Sequence, residues 1–202
     1  MAILITGGAR SGKSSFAEKL AALLGEQGIY IATSRIWDEE MAERIALHKE
    51  NRMQGGFRWV TIEEPLELAS RLRQLSAECS ELTNRGDKAP VVLVDCLTLW
   101  LTNVLMEAEE REKSTAVDEA QLWLNRQIGE LTAAAADYAF PLVLVTNEVG
   151  DGIVPAYPLG RKFRDEAGRL NQRIAAVSDK VFLVTAGIPV ELKALQFRWE
   201  SL

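Results

Sequence analysis

Eight consecutive residues near the N-terminus, Gly7-Gly8-Ala9-Arg10-Ser11-Gly12-Lys13-Ser14, follow the order G-x-x-x-x-G-K-[ST] at every fixed position. Glycines let a backbone wrap a triphosphate, so that its charge meets successive N–H groups and the positive end of a helix dipole. In that arrangement Lys13 reaches the β- and γ-phosphates and Ser14 holds Mg²⁺. An ordinary glycine-rich turn between strand and helix needs one or two glycines but has no use for an exposed Lys-Ser pair. Asp95 closes the apolar run Val91-Val92-Leu93-Val94 and is placed as a second carboxylate that orients Mg²⁺ or its waters. An aspartate at a strand end also serves simply as a cap for the helix that follows. The loop leaves the acceptor open, because kinases, switches and motors all use it.

The only histidine, His48, lies in the helical segment Asp38 to Arg52, with Arg44 and Arg52 four residues to either side on adjoining parts of one face. Nearby cations disfavour imidazolium and keep the ring neutral, the form able to attack phosphorus, while the same arginines can hold phosphate oxygens. His48 also follows Met41 and Ile45 along a helical stripe, which suits a half-buried packing residue equally well. After the apolar run Leu142 to Val145 comes Thr146-Asn147-Glu148-Val149-Gly150, at the kind of strand end where α/β sheets bind ligands. There Glu148 either contacts a nucleotide, Mg²⁺ or an acceptor hydroxyl, or caps the backbone of a turn. Further on, Arg161, Arg164, Asp165, Gly168 and Gln172 share a helical stripe, with Arg169 and Asn171 beside it. Such a stripe is commonly a solvated face, but a mid-helix glycine costs about 1 kcal/mol relative to alanine and hints at a close approach.

The elements that must position these groups alternate between short β-branched runs and longer amphipathic segments, the rhythm of an α/β protein. Strands are expected at Ala2 to Thr6, Ile29 to Ala32, Arg58 to Ile62, Val91 to Asp95, Leu142 to Thr146 and Val181 to Thr185, with a possible seventh at Val190 to Leu195. Helices are expected at Lys13 to Leu24, Asp38 to Arg52, Pro65 to Leu82, Leu97 to Met106, Thr115 to Tyr138 and Leu159 to Val177. The polar stretches Thr83 to Pro90 and Glu107 to Ser114 read as surface connections. These elements make one domain over residues 1–202, a P-loop NTPase-type fold with a mostly parallel sheet of about seven strands and helices on both faces.

Composition narrows the partners. A net charge of -6, with no Lys/Arg run longer than two, offers no footprint for a nucleic-acid backbone and favours a small-molecule substrate. Cys79 and Cys96 lie far apart without C-x-x-C spacing, which argues against a disulfide framework or a structural zinc site. The N-terminus lacks a basic region, and no apolar stretch approaches the roughly 20 residues of a membrane span, so the chain reads as cytoplasmic.

Taken together, these segments resemble the bifunctional adenosylcobinamide kinase/adenosylcobinamide-phosphate guanylyltransferase family of cobalamin synthesis. The resemblance runs nearly end to end: Ile5 to Ser14, Tyr30-Ile31-Ala32-Thr33-Ser34, Asp38 to Met41 with Arg44-Ile45 and His48, and Trp59 with Glu63. It continues through Val145 to Gly150, Gly152-Ile153-Val154-Pro155, Phe163-Arg164-Asp165, Gly168-Arg169, Asn171-Gln172 and Gly187-Ile188-Pro189. It implies two reactions. ATP or GTP phosphorylates the aminopropanol hydroxyl of adenosylcobinamide, served by Lys13, Ser14 and Asp95. Histidine, here His48, then attacks the α-phosphate of GTP, pyrophosphate leaves, and the phosphorylated cobinamide takes GMP from the imidazole. The resemblance also implies guanine-nucleotide contacts around Thr33-Ser34-Arg35, Lys49-Glu50-Asn51-Arg52 and Glu63, and a homo-oligomer, with a trimer as the family pattern. Another small-molecule kinase sharing the loop, or a non-enzymatic nucleotide switch, would need neither His48 nor the ordered series.

Overall fold

The computed structural model describes residues 1–35, 56–113 and 117–198. The segment expected to form a helix from Asp38 to Arg52, with His48 in it, lies outside the described residues.

Seven strands form one sheet: β1 (Ala2–Thr6), β2 (Gln27–Ala32), β3 (Arg58–Glu63), β4 (Val91–Asp95), β5 (Leu142–Val145), β6 (Lys180–Thr185) and β7 (Ile188–Glu191). Their order is β3-β2-β4-β5-β1-β6-β7, parallel throughout except for β7, which returns antiparallel to β6. The central strands β1, β4 and β5 are apolar at every position but the last of β1 (Thr6) and of β4 (Asp95), because both faces are covered. Ala2, Leu4, Val92, Val94, Leu142 and Leu144 enter one core, while Ile3, Ile5, Val91, Leu93, Val143 and Val145 enter the other.

Five helices are described: α1 (Lys13–Leu24), α2 (Leu68–Asn84), α3 (Leu97–Glu112), α4 (Val117–Ala136) and α5 (Pro158–Val177). α1 covers one face through Phe16, Ala17, Leu20 and Ala21, and α2 to α5 contribute to the core on the other. α4 buries one stripe at helical spacing: Leu124, Ile128, Leu131 and Ala135 are all buried. Of the four consecutive alanines Ala133 to Ala136, Ala134 and Ala135 are buried, whereas Ala133 and Ala136 are exposed. Trp100 of α3 fills the core centre, and its indole N–H donates to the Leu66 carbonyl at 2.9 Å, so the one polar atom of a fully buried ring is satisfied.

Three elements depart from those expected by three residues or more at one end. The charged stretch from Glu107 continues α3 to Glu112 in place of forming a connection, with Arg111 paired to Glu107 one turn earlier at 3.1 Å. Glutamate and arginine are good helix formers, and their charges favour the solvated side without ending a helix. α2 starts at Leu68 and not Pro65, because the Glu64 carboxylate accepts the N–H groups of Leu66 (3.2 Å) and Glu67 (2.8 Å) and holds a turn there. β7 occupies Ile188–Glu191 and not Val190 to Leu195. Thr185 pairs with Ile188 across a two-residue turn whose residues, Ala186 and Gly187, both have positive φ (52° and 80°), the requirement of a tight hairpin.

Candidate functional site

The carboxyl ends of β1, β2, β4 and β5 lie at one edge of the sheet, and the phosphate-binding loop leaves from the first of them. Gly7 has φ +155°, and a Cβ there would stand 2.4 Å from the Val184 carbonyl oxygen and 2.8 Å from Ser11 Oγ. Gly12 caps α1 in the left-handed region (φ 95°), with a Cβ position 3.2 Å from Gly187 Cα. Arg10 also adopts positive φ (59°), and the loop is closed by the Ser11 N–H, which donates to the Gly8 carbonyl at 3.3 Å. The β6–β7 turn braces this curl from outside: the Gly187 N–H donates to the Ser11 carbonyl at 2.8 Å. On the other side, the Glu148 N–H donates to the Gly7 carbonyl at 3.1 Å. Lys13 reaches back along the loop, its Nζ 3.1 Å from the Gly8 carbonyl, and Ser14 stands partly exposed in the first turn of α1. Gly8, Ala9 and Arg10 are exposed, whereas Ser11 is buried. Among the described residues, two buried side-chain oxygens have no hydrogen-bond partner, Thr6 Oγ1 and Ser11 Oγ, and both belong to this strand-to-loop junction.

Gly7→Ala should therefore weaken nucleotide binding, because the new methyl group meets backbone at Val184 and the loop must leave its cradle to accommodate it. A strain of about 1–3 kcal/mol corresponds to a loss of affinity of about 5- to 150-fold. Titration with ADP checks it; wild-type affinity would show that the cradle is not needed.

Asp95 ends β4, two strands from β1 because β5 is inserted between them, which places it about 9–10 Å across the sheet from the loop strand at the usual strand spacing. α1 leaves the loop and crosses beneath β5 and β4, toward the same side. Asp95 is half-buried, and the Tyr30 hydroxyl donates to its Oδ2 at 3.0 Å. The peptide bond that follows it, Asp95–Cys96, is cis. Cys96 is buried, and burial, with the neighbouring Asp95 charge, pushes its thiol up to about 12, so it stays an inert thiol at neutral pH.

Thr33 follows β2 and is fully buried. Its hydroxyl donates to the Cys96 carbonyl at 2.6 Å and accepts the Cys96 N–H at 2.9 Å, while its own carbonyl accepts the Asn103 amide at 2.8 Å. This knot ties the ends of β2 and β4 to α3, and from it Ser34 and Arg35 emerge half-buried. Glu63 ends β3, exposed, opposite Ala32 in the register. His48, Lys49, Glu50, Asn51 and Arg52 lie outside the described residues.

At the end of β5, Thr146 Oγ1 donates to Asn171 Oδ1 at 2.8 Å, the Asn147 N–H donates to Thr98 Oγ1 at 2.7 Å, and the Asn171 amide donates to the Asn147 carbonyl at 3.2 Å. Glu148 caps a turn: its Oε1 accepts the Gly150 N–H at 2.8 Å. Arg164 returns to the same turn, its Nε donating to the Gly150 carbonyl at 3.1 Å, and Arg161 donates to the Ala156 carbonyl at 2.7 Å. Part of the polar stripe on α5 thus holds this turn in place of facing solvent. The close approach expected at Gly168 is not observed among the described residues, since a Cβ there meets none of them within 4 Å. The close approach occurs one face away, at Gly160, where a Cβ would lie 2.7 Å from both Pro155 and the Tyr157 ring.

Sequence reasoning passed over Tyr30 as a site residue, and also Thr98 and Asn103. Tyr30 and Asn103 act across about 65 to 70 residues of chain, and no local spacing marks them.

Known proteins resemble this chain over nearly its whole length. The family model described as cobinamide kinase / cobinamide phosphate guanyltransferase matches residues 3–192. The bifunctional adenosylcobalamin biosynthesis protein CobU of Escherichia coli is 42% identical over 197 residues, covering 96% of this chain and 100% of that one. CobU of Salmonella typhimurium is 43% identical over 199 residues, with the same two coverages. The corresponding protein CobP of Pseudomonas aeruginosa is 42% identical over 190 residues, covering 94% of this chain and 96% of its own. A match over nearly the whole length, on a sheet whose edge carries the phosphate-binding loop, leaves one assignment: the chain belongs to the cobinamide kinase / cobinamide phosphate guanyltransferase family.

Proposed function

We propose that this bifunctional kinase and guanylyltransferase divides its two reactions between the phosphate-binding loop and His48. The observation that carries the reading is the braced loop, with Lys13 lying along it and Asp95 at the same sheet edge. In the first reaction the loop N–H groups from Gly7 through Ser14 receive the β- and γ-phosphates of ATP or GTP, and Lys13 balances charge as the γ-phosphoryl group passes to the aminopropanol hydroxyl of adenosylcobinamide. Ser14 and Asp95 are hard oxygen donors suited to Mg²⁺, which when bound neutralises charge on the transferring phosphates. Among the described residues no group of three or more His, Cys, Asp or Glu side chains gathers into a protein cage. A sparse donor set is the kind that magnesium shares with a substrate's phosphates. The unpartnered Thr6 and Ser11 hydroxyls supply further polar capacity at the loop.

In the second reaction the neutral imidazole of His48 attacks the α-phosphorus of GTP, pyrophosphate departs, and a phosphate oxygen of adenosylcobinamide phosphate displaces the imidazole to give adenosylcobinamide-GDP. Thr33-Ser34-Arg35, Lys49-Glu50-Asn51-Arg52 and Glu63 surround the guanine nucleotide in this reading. Thr33 contributes by anchoring the backbone from which Ser34 and Arg35 project. Residues 1–202 act as one domain, in the cytoplasm, where the two free cysteines stay reduced.

The enzyme works as a homotrimer in this reading. Exposed apolar side chains near edge strand β7, Ile188 and Leu195, support self-association. Light scattering giving a monomer at assay concentration would remove the trimer. The functional reading is tested by supplying adenosylcobinamide first with ATP and then with GTP and following both products. Formation of the phosphate and then of the GDP derivative is expected, and turnover of the nucleotide without a phosphorylated corrinoid would overturn it.

A further inference from the structure

We propose that Tyr30 is a positioning residue for Asp95, holding one carboxylate oxygen so that the other meets the magnesium shell of the bound nucleotide. The inference rests on the reading of Asp95 as the metal-orienting carboxylate and adds a residue to it.

Strand parity places the pair. Val91 and Leu93 of β4 face the α1 side of the sheet, and Asp95 continues that alternation, so its side chain emerges on the side from which Ser14 approaches. On neighbouring β2, Tyr30 and Ala32 face the same side, with Tyr30 opposite Leu93 and Ala32 opposite Asp95. A tyrosine one alternation behind the aspartate lies along the strand direction from it, and its length carries the hydroxyl forward to Oδ2 at 3.0 Å.

The ring is wedged. Tyr30 is 5% exposed and meets Trp59 edge to face, with centroids 6.0 Å apart and planes at 88°. Trp59 is itself pressed against Phe57, with centroids 4.8 Å apart. It is seated over Gly28, where a Cβ would stand 2.5 Å from the indole. Packing alone would be served by phenylalanine. The hydroxyl adds a directed bond to a carboxylate that is half-buried and accepts only. A carboxylate on a strand end rotates about two bonds, and a fixed donor on one oxygen orients the other. Such outer contacts typically change metal affinity or activity by about 10- to 100-fold.

The test compares Tyr30→Phe and Asp95→Asn with the wild type in two measurements: the Mg²⁺ concentration giving half-maximal kinase rate, and the ratio of ADP affinities with and without Mg²⁺. Thermal melts confirm that each variant is folded. Tyr30→Phe is expected to raise the Mg²⁺ requirement by about 10-fold and to shrink the affinity ratio, while ADP binding without Mg²⁺ and the KM for adenosylcobinamide stay at wild-type values. A purely structural tyrosine would lower stability without moving the Mg²⁺ linkage. If Asp95→Asn loses the linkage and Tyr30→Phe keeps it, the role of Tyr30 is overturned and that of Asp95 stands. If Asp95→Asn keeps it, the reading of Asp95 fails and Tyr30 falls with it.

Discussion

His48→Ala should abolish the covalent guanylyl-enzyme while leaving phosphorylation of adenosylcobinamide intact. His48 is the sole histidine of the chain, so an acid-labile label from α-labelled GTP has no other imidazole to occupy. Removing a nucleophile cannot be offset by binding, and losses in comparable covalent mechanisms are on the order of 10³-fold or more. In the proposed division the kinase step uses the loop and an acceptor hydroxyl, and it requires no phosphorus–nitrogen bond. A His48→Ala protein that labels as strongly as the wild type would sink the assignment. Loss of both activities together would show that the two reactions share more than a nucleotide.

Lys13→Ala should cost about 10²–10³ in the kinase kcat, the usual consequence of deleting one fixed donor from a developing anionic transition state. The fold should tolerate the change. Lys13 is only half-buried, in the first turn of α1, and alanine is a good helix former there. A melting temperature near that of the wild type, together with the fall in kcat, is the expected pair of results. An unchanged kcat would mean that the loop holds phosphate without stabilising its transfer.

How much of this was legible beforehand differs from element to element. α1 runs from Lys13 to Leu24 and β4 from Val91 to Asp95, both as expected, because a glycine-rich turn and an unbroken apolar run are local signals. The end of α3 was not legible, since five charged residues within six positions look the same on a solvated helix as in a connection. β7 was displaced because its turn uses an alanine at positive φ, a conformation that alanine rarely takes and that composition does not announce. On α5 the sequence marks Gly168 as unusual, but crowding occurs at Gly160, where a neighbouring loop folds over the helix. Glu148 was open between two roles, and what is observed is one oxygen closing a turn.

The amino-acid sequence by itself determined the phosphate-binding loop, the alternating α/β rhythm and the ordered series of motifs that marks the family. These rest on backbone preferences of neighbouring residues and need no knowledge of what packs on what. The tertiary structure decided the strand order, which inserts β5 between the loop strand and Asp95 and brings Tyr30 to that carboxylate across 65 residues. It also set the β6–β7 turn against Ser11 and Gly12. The physical reason is that Val91 to Val94 and Leu142 to Val145 are chemically alike as strands. Which of them lies beside β1 is fixed by helix packing and non-local pairing, and neither is written in the run itself.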